Sequence, residues 1–135
     1  ALADLADEDP RLAQLELLLK VQREVAAGSP GAATEQLIAQ RETLDPANRQ
    51  LAQYWLGMAK INREDASTQR EGVLDLLHLP ALYGEESPAL AAAGLYQAMQ
   101  SLEALDDLRG SIALRSELLT KYGQTWHGQR VANEK

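Results

Sequence analysis

Apolar residues recur along this chain in steps of three and four positions. The clearest examples are Leu12, Leu15, Leu19 and Ala26 near the start, and Leu95, Ala98, Leu102 and Leu105 further on. Such spacing places the apolar side chains on one face of an α-helix, whereas a half-buried strand requires strict alternation. The pattern therefore predicts amphipathic helices that bury these faces.

Proline and glycine mark the predicted helix ends. Four of the five prolines follow Asp or Ser, in Asp9-Pro10, Ser29-Pro30, Asp45-Pro46 and Ser87-Pro88. An Asp or Ser side chain caps the first-turn amides, and Pro at the first helical position lacks an N–H that would have no partner there. Helix ends are predicted at Gly28, Gly84 and Gly123, where a left-handed residue would close the helix.

These marks predict six helices and part of a seventh, at residues 10–27, 31–44, 46–63, 66–83, 88–105, 107–122 and 125–135. Pro80 falls inside the fourth helix and would remove a backbone hydrogen bond. We therefore expect residues 78–83 to be kinked or to form a separate short turn. The short linkers make consecutive helices antiparallel neighbours.

The helices pair into hairpins of similar length, at residues 10–44, 46–83 and 88–122, followed by a terminal helix at 125–135. The tract Leu82-Tyr83-Gly84-Glu85 recurs 39 positions later as Lys121-Tyr122-Gly123-Gln124. Periods of this size are typical of helical repeat arrays. The predicted fold is all-α: a single domain built as a right-handed array of antiparallel helix hairpins, an α-solenoid of six to seven helices.

Composition supports helices and restricts the partners. Among 135 residues there are 24 Leu and 22 Ala, but only 12 Val, Ile and Thr together and no Phe, which favours helix over sheet. The net charge of −7 has the wrong sign for binding nucleic acid or an anionic membrane surface. No apolar run approaches the roughly 20 residues that span a bilayer. The chain begins without Met, and we expect it to be a fragment of a longer one.

Candidate chemistry is sparse. His78 has Asp75 three positions before it, which is too little for a metal site, and we interpret it as a structural or surface histidine. Capping or a solvated turn explains the acidic clusters, which are Asp7-Glu8-Asp9, Glu64-Asp65, Glu85-Glu86 and Asp106-Asp107. The chain has no Cys, no phosphate-binding glycine motif and no nucleophile motif. The sequence therefore predicts no enzyme, with no catalytic residue, metal or cofactor.

Two tracts resemble a known family. Ala52 to Gly57, Ala-Gln-Tyr-Trp-Leu-Gly, resembles the first-helix signature of a tetratricopeptide repeat, in which Gly57 lets the neighbouring helix approach closely. Residues 92–123 fit the same template by length. Together with Leu-Leu-Thr-Lys-Tyr-Gly-Gln-Thr at 118–125, these tracts are similar to the C-terminal repeat domain of bacterial Tol-Pal-associated periplasmic proteins. They are more distantly similar to outer-membrane assembly lipoproteins.

The resemblance implies a non-catalytic interaction module, in the periplasm or cell envelope, that binds a protein or peptide on a concave face lined by first helices. With Gln50 and Ala92 as first positions, the residues directed into that groove are Tyr54, Met58, Tyr96, Gln100, His127 and Arg130. Tyr54 and Tyr96 fall in the same slot. The mixed aromatic, amide and basic character of this set suits a peptide that carries some acidic residues.

Several alternatives remain open on the sequence. Both tyrosines would also fit at the edge of the core without any ligand. The chain would also fit an oligomerisation or accessory domain of a larger envelope enzyme or secretion component, with self-association through exposed repeat ends. Residues 125–135 suit either a terminal cap or the start of another repeat.

Overall fold

The fold is entirely helical over residues 9–134, the part of the chain that the computed structural model describes. This range holds seven α-helices, one 3-10 helix and no strand. They are α1 (Pro10–Ala26), α2 (Ala32–Gln40), the 3-10 helix (Arg41–Thr43), α3 (Pro46–Ile61), α4 (Ala66–Tyr83), α5 (Pro88–Ala104), α6 (Leu108–Lys121) and α7 (Trp126–Asn133). The all-α prediction is confirmed, and each predicted helix corresponds to an observed one.

Helix α4 spans residues 66–83, as predicted, and continues through Pro80, so no separate short turn forms at its end. The predicted range of α2 differs from the structure. Helix α2 ends at Gln40, and the remainder of its predicted range is the 3-10 helix. Asp7, Glu8 and Lys135 lie outside the described residues.

Proline stands at the first position of α1, α3 and α5, as predicted. Asp9 caps α1 by accepting a hydrogen bond from the Arg11 backbone N–H at 3.0 Å. The predicted side-chain caps at Asp45 and Ser87 are wrong, because neither accepts from the first turn of its helix. The Ser87 hydroxyl instead donates to Gln50 Oε1 on α3.

The capping groups differ among α2, α4 and α6. Asp65 accepts from the Thr68 N–H and Asp107 from the Gly110 N–H, each at 2.9 Å, which confirms capping by these two acidic clusters. The predicted helix start at Ser29-Pro30 is wrong, because α2 begins at Ala32 after Gly31. Its capping group comes from the preceding helix, as described below for Glu24.

Left-handed residues close two helices. Gly28 after α1 has φ +72°, as predicted, but Gly84 has φ −58° and Gly123 has no positive φ. The helices end one or two residues before these two glycines, as predicted, but the predicted left-handed conformation of both is wrong. In the described residues the other positive φ belongs to Asp106 (+61°), after α5. Asp tolerates this conformation better than most residues because its short polar side chain bonds locally.

Each helix packs on the next one in sequence, and the first helices of the hairpins also pack on one another. Helix α3 contacts α1 and α5, and α5 contacts α7. In the described residues α2 does not contact α4, and α4 does not contact α6. Helix α2 touches α3 only lightly, whereas α4 packs extensively on α5. The first hairpin is therefore seated less closely than the second.

The core follows this order of contacts. One cluster joins α1, α2 and α3, a second joins α5, α6 and α7, and a third lies between them around Val73, Leu76 and Ala98. Leu95 and Ala98 of α5 are buried as predicted. Tyr122 is buried in the second cluster, and Trp55 packs against the first.

The predicted buried face of α1 is wrong. The buried residues are Leu17, Leu18, Val21 and Val25, whereas the predicted set of Leu12, Leu15, Leu19 and Ala26 is half-buried or exposed. Leu15 is 36% exposed and Leu19 is 44% exposed. The apolar run around these residues would allow either of two faces of α1 to be buried, and contacts with α2 and α3 decide which one is.

Candidate functional site

The residues predicted for the end of the array come together between α5 and α7. The Tyr96 and His127 ring centroids are 5.3 Å apart, and the Arg130 Cζ atom lies 5.2 Å from the Tyr96 centroid. Gln100 Nε2 donates to the Tyr96 hydroxyl at 2.7 Å. We call these four residues, with Trp126 and Glu134, the α5–α7 cluster.

Trp126 and Glu134 complete this cluster, although the sequence-based set did not include them. The Arg130 guanidinium lies 5.3 Å from the Trp126 centroid, within cation–π range. Glu134 approaches Arg130 at 3.7 Å and accepts from the Tyr96 hydroxyl at 3.4 Å. Their positions in the sequence could have indicated both residues, because Trp126 adjoins His127 and Glu134 lies four positions after Arg130.

Burial assigns different roles within the cluster. Tyr96 is only 3% exposed, so its ring forms the floor and does not project into solvent. Trp126 is 63% exposed, and Gln100 and Arg130 are also exposed. Burial, and then the nearby Arg130 charge, lower the pKa of His127 below its ordinary value, so the neutral ring persists to lower pH. The accessible chemistry is therefore one indole, one amide, and one guanidinium that the exposed Glu134 carboxylate approaches at 3.7 Å.

Tyr54 and Met58 lie in a different environment on α3. Both pack against the cluster of buried residues formed by α4 and α5. The Tyr54 ring stands edge-on to the Trp55 ring at 5.1 Å between centroids. Burial raises the pKa of Tyr54, and the Gln97 side chain on α5 opposes that shift. Among the described contacts, none joins Tyr54 or Met58 to the α5–α7 cluster.

The six predicted residues thus divide into two groups. Tyr96, Gln100, His127 and Arg130 form one connected arrangement, while Tyr54 and Met58 belong to the helix interface. The two tyrosines occupy the same position in consecutive hairpins, but both are substantially covered by neighbouring helices.

His78 and Asp75 do not form a reactive pair. Asp75 binds Lys60 Nζ at 2.8 Å, and His78 Nδ1 lies 3.2 Å from Gln53 Nε2. Across residues 9–134, no group of three or more His, Cys, Asp and Glu side chains is arranged to hold a metal ion. Within the same range, no helix combines the length and apolar character needed to cross a membrane.

Comparisons of the chain with protein-family models, curated proteins and solved structures give no match.

Proposed function

We propose that this chain is a non-catalytic protein–protein interaction module of the tetratricopeptide type, and that the α5–α7 cluster contacts its partner. The observation that carries the proposal is the exposed pair of Trp126 and Arg130, supported beneath by the buried Tyr96 ring. Trp and Arg are the residue types most enriched among energetically dominant contacts of protein interfaces. A rigid floor reduces the entropy lost when the pair is immobilised.

The partner proposed for this cluster is a peptide or helix that carries acidic residues. Arg130 supplies a guanidinium, which binds carboxylates through two parallel hydrogen bonds. Gln100 supplies an amide beside it, and Trp126 an apolar face. The order of contacts among α1, α3, α5 and α7 supports a solenoid in which these first helices share one face. The resemblance noted from the sequence extends the proposal to the bacterial cell envelope.

Selection from a random peptide library tests this function. We expect the wild-type chain to enrich acidic peptides, and Trp126→Ala with Arg130→Ala to abolish the binding of at least one enriched class. Arg70→Ala with Leu74→Ala is the matched control, because both residues are exposed on α4. Circular dichroism verifies that each variant is folded. A selection in which no enriched peptide lost affinity for the cluster variant would contradict the proposal.

Oligomerisation is a second candidate function, favoured by the outer face of α6. Leu108, Ile112 and Leu119 lie on one side of this helix and are 60%, 67% and 37% exposed. Such a stripe is typical of a surface that another chain covers. Sedimentation measurements of the wild type and Ile112→Glu test this candidate. A wild-type monomer at every accessible concentration would exclude it.

A further inference from the structure

A second surface lies along α3 and shares no lining residue with the α5–α7 cluster. Helix α2 and the 3-10 helix form one wall, α4 forms the other, and α3 is the floor. We call this the α3 groove. It consists of two neighbouring cavities of about 410 and 340 Å³, which are both lined by Arg41 and Asp75.

The floor of the groove is one face of α3. The residues that line it there are Arg49, Gln53, Leu56, Ala59 and Lys60, and Arg63 lines the groove just beyond the end of the helix. Steps of three and four positions from Arg49 to Lys60 follow one side of the helix over roughly 16 Å at 1.5 Å per residue. The groove is open because α2 contacts α3 only lightly and does not contact α4 among the described residues.

The groove combines apolar surface with positive charge. Ile38 on the α2 wall is 57% exposed, and Leu82 at the far end of α4 is 65% exposed. The charged side chains that line the groove are Arg41, Arg49, Lys60 and Arg63 against Glu42 and Asp75. This local excess of two positive charges stands in a chain of net charge −7.

Arg63 is the basic group most available for a ligand. It is exposed and forms no ion pair within the described residues. Arg49 is half-buried and donates through Nη2 to the carbonyl oxygens of Glu42 and Leu44, at 3.0 and 3.3 Å. Lys60 is held by Asp75 at 2.8 Å.

We propose that the α3 groove binds an amphipathic α-helix with an apolar stripe flanked by Asp or Glu, supplied by a partner protein. A helix fits because the floor and both walls are themselves helices, and a helix resting on α3 would cover the flank that α2 leaves open. A helix of about 14 residues covers the length of the floor. The basic groups of the groove select an acidic flank, in a chain whose net charge is −7. This groove is distinct from the α5–α7 cluster.

Two synthetic 14-residue peptides provide the probe. Both carry Leu at helical spacing, and one has Glu and the other Lys on the flanks. We expect the Glu peptide alone to bind, in fluorescence anisotropy with fluorescein-labelled peptide. Arg41→Glu with Arg63→Glu, and separately Ile38→Asp, should each weaken binding by about tenfold.

Matched controls come from exposed positions outside the groove. Arg109→Glu on α6 and Leu19→Asp on α1 make the same kinds of change and should alter the affinity by no more than about twofold. Trp126→Ala should also leave this binding intact, so failure of the α5–α7 proposal and failure of this one are distinguishable. Amide chemical shifts should move at Ile38, Ala59 and Arg63.

Three outcomes would overturn the inference. The first is that the two peptides bind with equal affinity, or that neither peptide binds. The second is an equal loss of affinity in the groove variants and the control variants. The third is a wild-type dimer that Arg63→Glu dissociates, which would assign the groove to a second copy of this chain.

Discussion

At the residue scale, the start of α2 depends on the carboxylate of Glu24 in α1. It accepts hydrogen bonds from the backbone N–H groups of Gly31, Ala33 and Thr34, and from the Thr34 hydroxyl, at 2.7 to 3.1 Å. These bonds, led by the hydroxyl bond, lower the pKa of Glu24 from 4.5 to about 2. A side chain from another helix thus performs the capping that Ser29 was predicted to perform.

The lowered pKa of Glu24 predicts a loss of stability in acid. Above pH 4.5 Glu24 is ionised in both the folded and the unfolded chain, so its full contribution is present. Below that pH the unfolded chain takes up the proton first, and the contribution is lost as the pH falls towards about 2. Urea denaturation at a series of pH values measures this decline.

Substitutions at Glu24 and Thr34 test whether Glu24 causes this loss of stability in acid. Glu24→Gln should unfold at lower urea than the wild type at pH 7 and should show a smaller decline between pH 4.5 and 2. Thr34→Val removes the leading donor and should reduce the decline in part. An identical pH dependence in wild type and Glu24→Gln would refute this assignment.

The two left-handed residues give a second prediction. After α5, the Asp106 N–H donates to the Glu103 carbonyl and the Asp107 N–H to the Leu102 carbonyl, at 3.1 and 2.9 Å. This closing pattern requires a left-handed residue at position 106. Asp106→Ala should therefore lower the free energy of unfolding by about 1 kcal/mol, while Asp106→Gly should preserve or raise it.

Gly28→Ala provides the comparison for Asp106. A Cβ at Gly28 would meet no atom within 4 Å, so any loss of stability in that variant comes from its φ of +72° alone. Chemical denaturation of Asp106→Ala, Asp106→Gly and Gly28→Ala measures the free energy of unfolding of each variant. If Asp106→Ala equalled Asp106→Gly in stability, the left-handed conformation would not be what limits this site.

At the element scale, two glycines bring α3 and α4 into close contact. A Cβ at Gly57 would lie 2.8 Å from Leu76 Cγ, and one at Gly72 would lie 2.9 Å from the Gly57 carbonyl oxygen. The sequence-based reason for Gly57, close approach of the neighbouring helix, agrees with this geometry.

The crossing predicts that Gly57→Leu is strongly destabilising. Helix propensity alone would favour the substitution by almost 1 kcal/mol, but the helices must separate to admit the side chain, at a cost of about 1–3 kcal/mol. Ala113→Leu, at an exposed position on α6, should change stability by less than about 0.5 kcal/mol. Equal stability changes in the two variants would show that Gly57 does not lie at the close contact between α3 and α4.

Helix positions were predictable from the sequence because their signals are local. Prolines at first helical positions and acidic caps such as Asp9 and Asp65 act within a few residues of the chain. The buried face of α1 was not predictable. Leu15 and Leu17 are both in its apolar run, and only the placement of α2 and α3 decides that Leu17 is buried.

The candidate site shows the same division between local and tertiary information. A repeat register brought Tyr96, His127 and Arg130 together, because adjacent first helices do pack on one another. The register could not give the depth of burial, and Tyr96 proves to be covered by neighbouring helices. The α3 groove was not foreseen, since it arises from how loosely α2 sits against α3, which no short motif encodes.

At the scale of the whole molecule, stability depends on neighbouring helices. The three core clusters are arranged in sequence order, and α4 and α5 lie at the centre with extensive partners on both sides. Helix α2 has a substantial partner in α1 alone and faces the open groove. When contacts extend only to neighbours, separate parts of a chain open at different free energies.

Native-state hydrogen exchange should therefore show the least protection in α2 and the 3-10 helix and the most in α4 and α5. Leu37→Ala tests whether α2 opens separately, because Leu37 is fully buried in the first cluster. We expect it to speed exchange in α1 and α2 and to leave α5 amides unchanged, whereas Leu95→Ala, at a fully buried position in α5, should speed exchange throughout. An equal increase at every amide in Leu37→Ala would show instead that the described helices unfold as one cooperative unit.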